Sequence, residues 1–165
     1  MEERSISDHA PAAVIPRRAI GAVLLLLLPF ASHADDSERC TPLNALVAQA
    51  ASATEDPHAL SALSDQLKAE QCGTALSETA AREIHCRWSF DYRSDESVEM
   101  QDRMASDIRD CLHASTISPE QGVNHPDTYD QQLYRAGDMA LSVSLKDKAA
   151  LQRSFVFLRI EKILQ

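Results

Sequence analysis

Four cysteines restrict the folds open to this 165-residue chain more than any other feature: Cys40, Cys72, Cys86 and Cys111. An even number of cysteines in an exported protein predicts disulfide bonds, and a metal site is the less favoured alternative. No two of them have the Cys-x-x-Cys spacing that is typical of zinc knuckles and of thioredoxin-type redox pairs. We therefore expect a domain held together by two disulfides, provided that the chain reaches an oxidising compartment.

Residues 1–34 supply that condition, because they have the pattern of a secretory signal peptide. Arg17-Arg18 precede an apolar run, Ala19–Ala31, and small residues follow at the two positions that a signal peptidase reads. A membrane-spanning helix needs about 20 apolar residues, whereas this run is shorter and is interrupted by Pro29. We predict cleavage between Ala34 and Asp35 and a periplasmic or secreted location, with no stable membrane insertion after cleavage.

Cleavage at this point leaves residues 35–165 as a single domain, with a helical hairpin over 35–73 and a sheet plus helix over 84–165. The stretch before the apolar run is long and acidic for a signal peptide, so an alternative hypothesis places the translation start at Val14. The formal net charge of the chain is −9, and it belongs to 35–165 because the charges of 1–34 cancel. This balance argues against a binder of nucleic acid or anionic membranes and favours a basic partner protein.

Two helices are predicted in the first part of the domain. Thr41-Pro42 is a typical N-cap and first helical position, and apolar residues follow at helical spacing, which predicts a helix over 42–53. Asp56-Pro57 repeats the start signal, and Cys72-Gly73 supplies the glycine that ends many helices in a left-handed conformation. In an antiparallel hairpin the start of the first helix meets the end of the second. This arrangement predicts a Cys40–Cys72 disulfide.

The next segment predicts a strand followed by a helix. Apolar and polar residues alternate over Ile84–Tyr92, which is the period of a half-buried strand. Ser94 then caps a helix that has an acidic first turn and an apolar face reaching Leu112. At about 3.3 Å per strand residue and 1.5 Å per helix residue the two elements have similar lengths. Cys86 near the strand start is therefore level with Cys111 near the helix end, which predicts the second disulfide, Cys86–Cys111.

The remainder predicts three more strands after a polar loop over 113–127. They cover 129–135, 139–146 and 155–160, and the last is apolar on both sides, as in an inner strand covered at least partly on both faces. The order α-α-β-α-β-β-β predicts an α+β fold with a mostly antiparallel sheet packed on one helix. Over 84–165 this order resembles the cystatin-like architecture, a sheet curled round one helix, which is found in inhibitors and small binding domains. The inhibitory Gln-Val-Gly loop of cystatins is missing, because Gln121-Gly122-Val123 has these residues in another order.

Histidines and carboxylates provide the candidates for acid–base or metal chemistry. His125 and Asp127 lie two residues apart in the predicted loop, where the favoured interpretation is an Asx-type turn and the alternative is a metal or acid–base site. His85 beside Cys86 suggests a nucleophile with its base, but alternation places the two on opposite strand faces and a disulfide would use the thiol. A group of four carboxylates near one strand end favours a solvated helix start, with glycosidase-type catalysis as the alternative. These four are Asp91, Asp95, Glu96 and Glu99.

Two further clusters suggest binding surfaces. Trp88, Phe90 and Tyr92 share one strand face, which predicts core packing, with a stacking platform for carbohydrate or peptide as the alternative. A locally basic stretch near the C-terminus could recognise an anionic partner or protect strand edges from pairing. Its members are Lys146, Asp147, Lys148, Arg153, Arg159 and Lys162.

The sequence contains no serine-hydrolase elbow, no glycine-rich phosphate loop and no Walker pattern, so we predict no cofactor and no metal. We expect a non-enzymatic exported binding protein, such as an inhibitor or an immunity-like protein, that recognises a basic partner protein. The alternative hypothesis is a small envelope hydrolase or ligand-binding enzyme that uses carboxylates such as Asp91 or Glu99, or His125 with Asp127.

Overall fold

A computed structural model describes residues 34–163 apart from 53, 55, 77–81 and 124–127. Within this range the chain forms an α+β fold, in which three helices pack against a six-stranded antiparallel sheet. The predicted fold class is confirmed. Residues 1–33 of the predicted signal peptide lie outside the described residues, and so do His125 and Asp127.

Nine helices and strands make up the described part of the chain, with one short 3-10 turn before the last strand. In chain order they are α1 (Ala34–Ala51), α2 (Pro57–Leu67), β1 (Gln71–Leu76), β2 (Arg82–Asp91), α3 (Asp95–Leu112), β3 (Ser115–Val123), β4 (Thr128–Ala136), β5 (Met139–Lys148) and β6 (Arg153–Lys162).

The sheet order is β1-β2-β6-β5-β4-β3, so the last strand lies between β2 and β5 and pairs with both. The prediction of an inner strand at 155–160 is confirmed. Along β6, Val156, Leu158 and Ile160 are buried against the helices, whereas Phe155 and Phe157 on the outer face are half-buried. The outer face of this strand is thus covered only in part, as expected.

The core fills the space between the inner face of the sheet and the helices. Leu46 of α1, Ile108 of α3 and Val143 of β5 are completely buried there. Burying such a side chain stabilises the fold by roughly 1.5–3 kcal/mol. The amphipathic helix α3 therefore has the central position that its apolar face predicts.

The two N-terminal helices differ from their predicted bounds. α1 begins at Ala34 rather than at residue 42 and runs through Pro42, and the Thr41 hydroxyl donates to the Ser37 carbonyl oxygen at 2.7 Å instead of capping the helix. The start signal of α2 is confirmed, because an Asp56 side-chain oxygen accepts hydrogen bonds from two backbone N–H groups of the first turn. α2 ends at Leu67, earlier than predicted, because the chain then turns into strand β1.

Strand β1 overturns the predicted disulfide pairing. The observed bonds are Cys40–Cys111 and Cys72–Cys86, not Cys40–Cys72 and Cys86–Cys111. Cys72 lies in β1, directly opposite Cys86 in β2, with 4.0 Å between their Cα atoms. Cys40 is thereby left to reach Cys111 in the last turn of α3, against which α1 packs. The prediction was wrong because Cys72-Gly73 was interpreted as a helix end, whereas both residues belong to an edge strand.

The predicted polar loop over 113–127 was also wrong in part. Strand β3 occupies Ser115–Val123 and pairs along its length with β4 at the edge of the sheet. An edge strand needs no regular apolar alternation and tolerates Pro119, whose missing N–H leaves no inner ladder incomplete. The register shifts between Thr116 and Ser118, which explains why periodicity did not reveal the strand.

Candidate functional site

An open groove of about 400 Å³ lies where the end of α2, the end of β2 and the first half of α3 meet. We call it the first groove. Buried or half-buried apolar side chains form its floor, and exposed charged side chains form its rim. The floor consists of Trp88, Phe90 and Met100, and the rim of Asp65, Lys68 and Glu70.

The floor is fixed by β2 and by the end of α2. Trp88 and Phe90 occupy alternate positions of β2 and so face the same side of the sheet. The indole Nε1–H of Trp88 donates to the Leu67 carbonyl oxygen at 3.2 Å, which satisfies one of the last carbonyl groups of α2. The aromatic floor is therefore held in place by a hydrogen bond as well as by packing.

The rim is shaped by the turn that ends α2. Lys68 has a φ of 53°, and its N–H donates to the Asp65 carbonyl oxygen at 3.1 Å. This left-handed residue reverses the chain direction and brings Glu70 beside β2, where the Glu70 N–H donates to the Arg87 carbonyl oxygen at 2.8 Å.

Two side chains of β2 clamp the Glu70 carboxylate. The Ser89 hydroxyl donates to Oε2 at 2.8 Å, and Arg87 Nη2 donates to Oε1 at 3.0 Å. The hydrogen bond from Ser89, together with the interaction with Arg87, lowers the pKa of Glu70 below its usual value. The lining of the first groove therefore combines aromatic side chains with an ionised carboxylate, whose charge is balanced in part by Arg87.

The structure divides the predicted aromatic stripe. Trp88 is 3% exposed and belongs to the core, as expected, yet one side of it lines the first groove together with Phe90. Tyr92 lies beyond the end of β2, and the Arg93 guanidinium is placed over its ring at 5.0 Å. Two members of the stripe thus form one surface, and the third does not belong to it.

The four candidate carboxylates are not gathered into one site. Asp91 is on the outer face of the sheet, where its Oδ1 forms an ion pair with Arg153 at 3.1 Å. Asp95, Glu96 and Glu99 are exposed in the first turns of α3, as expected for a solvated helix start.

The structure separates His85 from Cys86 by placing them on opposite faces of β2. The His85 ring is on the outer face beside Gly73, and Cys86 is buried in its disulfide. Alternation predicted this separation from the sequence.

The locally basic stretch is largely occupied by contacts within the sheet. Arg159 forms ion pairs with Glu83 and Glu161, and Lys162 lies 3.6 Å from Asp138. The Lys146 ammonium group lies 5.6 Å from the centre of the Tyr129 ring, and Lys148 also has an interaction partner. The predicted patch is therefore mainly a set of contacts that support the strands.

Asp147, the acidic member of that stretch, is the centre of a buried polar network. Its Oδ1 accepts from the Ser154 hydroxyl at 2.6 Å, and its Oδ2 accepts from Thr128 Oγ1 at 2.5 Å and from Arg93 Nε at 3.3 Å. Ser154 is fully buried and also accepts from the Arg93 N–H at 2.7 Å. The network joins β4, β5 and β6 to the turn before α3.

Two negative findings apply to the described residues. Their His, Cys, Asp and Glu side chains include no group of three that could hold a metal ion. None of their helices combines the length and the apolar character needed to cross a membrane.

Two disulfides are typical of a protein in an oxidising, extracytoplasmic compartment.

Sequence reasoning missed the charged half of the first groove. Asp65, Lys68 and Glu70 belong to the helix end and the turn that were interpreted as a longer α2. The spacing of these residues in the sequence does not indicate a site. They come close to β2 only because β1, which follows them, pairs with β2. Trp88, Phe90 and Met100 were the members that a pattern could identify, through strand alternation and the apolar face of α3.

Neither a protein-family model nor a curated protein sequence matches this chain.

Proposed function

We propose that this protein is exported, is processed between Ala34 and Asp35, and binds a basic partner protein through the first groove. In this proposal an apolar side chain of the partner enters the groove, and a neighbouring cationic side chain contacts Asp65 and Glu70. The observation that carries the proposal is that aromatic side chains, Trp88 and Phe90, and two carboxylates, Asp65 and Glu70, line the same groove. Interfaces commonly combine an apolar anchor with a polar rim in this way.

The charge of the helical layer supports a basic partner. Helix α3 carries six acidic and two basic residues, and its sequence supplies Met100 to the groove floor. Glu96 lies one turn before Met100, and Glu99 directly precedes it. Acidic surface charge of this density accelerates the approach of a cationic partner and makes binding sensitive to salt.

Site-specific photocrosslinking tests the proposal. A photoreactive amino acid at Ala69, in the lining of the first groove, is compared with the same amino acid at Leu151, which is 63% exposed in the 3-10 turn. We expect crosslinks to a partner of net positive charge from position 69 alone, and a decrease in yield as the salt concentration rises. Equal crosslinking from both positions, or a partner of net negative charge, would contradict the proposal.

Intact-mass measurement tests the processing step. Protein isolated from the cell envelope should begin at Asp35 and should gain no alkyl groups unless it is first reduced. A mass that includes residues before Asp35, or four alkylated thiols without reduction, would show that export and processing do not occur as proposed.

A further inference from the structure

A small pocket of about 60 Å³ lies on the outer face of the sheet, over the first half of strand β5. The outward side chains of β5 are short at this point, and longer side chains rise beside them from β4 and β6. We call it the β5 pocket, and it shares no lining residue with the first groove. Its lining includes Gln131 and Leu133 of β4, Ala140 and Ser142 of β5, and Arg159 and Glu161 of β6.

The floor of the β5 pocket contains a buried hydroxyl group without a partner. Ser142 is 7% exposed, yet its hydroxyl forms no hydrogen bond with any residue that the structure describes. Buried polar groups in folded proteins nearly always have a partner, which is a protein group, an ordered water or a ligand. Ser142 therefore marks the β5 pocket as a place where a second molecule completes the hydrogen bonding.

Two groups in the wall of the pocket are also available. The Gln131 amide forms no hydrogen bond with a described residue, and the Glu161 carboxylate uses only Oε2, which accepts from Arg159 Nη2 at 3.1 Å. The amide and the Ser142 hydroxyl can donate or accept, whereas Glu161 Oε1 only accepts. The pocket thus suits a group that has both a carbonyl oxygen and an N–H.

The charges around the β5 pocket cancel. Arg159 forms ion pairs with Glu83 and Glu161, and Arg135 lies opposite Ala140 on β4. Two positive and two negative side chains therefore surround the pocket. Because electrostatic complementarity favours a ligand whose charge matches its surroundings, a neutral group fits the pocket better than an ion.

The size and the apolar lining restrict the neutral group further. The volume is about twice the share of one molecule in liquid water, roughly 30 Å³, so the pocket admits a group of a few non-hydrogen atoms. Leu133 and Ala140 supply apolar contacts on one side. An acetamido group has the required parts, namely a methyl group, a carbonyl oxygen and an N–H.

Aromatic side chains lie next to the β5 pocket on the same face of the sheet. Phe157 is the outward residue before Arg159 on β6, about 7 Å away at 3.4 Å per residue. Its ring centre lies 6.1 Å from that of Phe155, and both side chains are half-buried. A partly exposed aromatic ring beside a small polar pocket can pack against the flat apolar face of a sugar ring.

We infer that the β5 pocket binds the acetamido group of an N-acetylated amino sugar, whose ring packs against Phe157. The methyl group contacts Leu133 and Ala140. The carbonyl oxygen accepts from the Ser142 hydroxyl, and the N–H donates to the Glu161 carboxylate. This site is independent of the first groove and gives the protein a second, glycan-binding surface.

Saturation-transfer NMR and calorimetry on the oxidised protein test the assignment. One probe is the trisaccharide of N-acetylglucosamine, and the other is the trisaccharide of glucose with the same linkage, which lacks the acetamido groups. We expect the strongest saturation at an acetyl methyl group. A buried methyl group and one hydrogen bond should together favour the acetylated trisaccharide about tenfold or more in the dissociation constant.

Three variants locate the acetamido group. Ser142→Ala should reduce the preference for the acetylated trisaccharide about twofold to tenfold, and Ala140→Leu should abolish it by filling the pocket. The matched control is Ser144→Ala, because Ser144 has the same 7% exposure on the same face of β5 but lies outside the lining. It should leave the preference unchanged. The preference is a ratio of two dissociation constants, so a smaller folded fraction does not alter it.

Four results would overturn the assignment. Absence of binding at millimolar concentration, or equal affinity for the two trisaccharides, would mean that the pocket holds ordered water only. An equal effect of Ser144→Ala and Ser142→Ala would place the acetamido group elsewhere. A peptide containing N-acetyl-lysine that binds as tightly as the acetylated trisaccharide would exclude the sugar as the recognised element. None of these results affects the first groove, which crosslinking at position 69 tests separately.

Discussion

The outer face of the sheet and the helical layer use basic side chains in different ways. On the sheet, Arg153 is paired with Asp91, and Arg159 with Glu83 and Glu161. In the helical layer, the Arg103 and Lys68 side chains are exposed and form no ion pair or hydrogen bond with a described residue, although the charge of Arg103 acts on Asp107. Paired charges on a strand surface support the fold weakly, whereas an unpaired charge beside apolar side chains remains free to contact another molecule. A basic run in the sequence is thus a poor guide to a binding surface, because tertiary contacts can place carboxylates beside its members.

The two disulfides reflect the same division, and their removal should produce the largest effect. Cys40–Cys111 closes a long loop and joins helices α1 and α3, whereas Cys72–Cys86 closes a short loop between neighbouring strands, with sequence separations of 71 and 14. On loop length alone, replacing each pair by alanine should cost about 4 and 3 kcal/mol of unfolding free energy, respectively. Urea unfolding at equilibrium measures both values.

The ordering of these two values matters more than their size, because strain and residual structure also affect disulfide stability. The wild-type protein after reduction serves as the control, since it should be at least as unstable as either variant. If the Cys72→Ala/Cys86→Ala variant were the less stable of the two, the β1–β2 hairpin would be the more important constraint and the comparison would be reversed.

The Asp147 network should account for the next largest effect, on the side of the sheet. Ser154→Ala removes the hydroxyl that donates to Asp147 Oδ1 and accepts from the Arg93 N–H, leaving both groups without that partner in a buried site. Buried polar groups that lose a partner destabilise a protein by about 1–3 kcal/mol. Ser115→Ala is the matched control, because Ser115 is exposed and its hydroxyl makes one long contact of 3.5 Å.

Denaturant unfolding should therefore separate the two serine variants clearly, with Ser115→Ala within about 0.5 kcal/mol of the wild type. Equal stabilities of the two variants would mean that a water molecule takes the place of the Ser154 hydroxyl. Solvent would then have access to the hydrogen bonds around Asp147.

The smallest expected effect is an opposite response of two carboxylates to pH. Burial raises the pKa of Asp107, and the ion pair with Arg39 only partly opposes it. The folded state therefore holds the Asp107 proton more tightly than the unfolded state, and this contribution to stability is lost as the pH rises from 3.8 through the raised value. For Glu70 the hydrogen bond from Ser89 lowers the pKa, so its contribution is present above pH 4.5 and is lost as the pH falls through the lowered value.

Unfolding experiments on Asp107→Asn and Glu70→Gln across acidic and neutral pH measure both responses. Relative to the wild type, Asp107→Asn should gain stability as the pH rises, and Glu70→Gln should lose it. Parallel changes in the two variants would show that general charge effects, rather than the local surroundings of each carboxylate, control the acid response.

Much of the fold follows from periodicity that the sequence displays directly. The alternation in β2 and β5 and the amphipathic pattern of α3 place these elements close to their observed bounds. Strands β1 and β3 were not predicted, because both are edge strands. In an edge strand one side has no neighbouring strand to pair with, and the side chains need not alternate between buried and exposed positions. The consequence was large, since missing β1 also produced the wrong disulfide pairing.

The candidate site was predictable only in its apolar half. Trp88 and Phe90 were evident as one strand face, and Met100 as part of the apolar face of α3. Glu70 could not be identified, because its role depends on Arg87 and Ser89, which approach it only after β1 has paired with β2.

By itself the sequence determined the α+β class, the surplus of acidic charge and the capacity for two disulfides, because composition and local periodicity are properties of neighbouring residues. Only the tertiary structure decided which cysteines pair, which basic residues are neutralised and where the first groove lies. Each of these depends on distances between residues far apart in the chain, such as Cys40 and Cys111. Those distances are set by the packing of α1, α2 and α3 on the sheet, which no local pattern encodes.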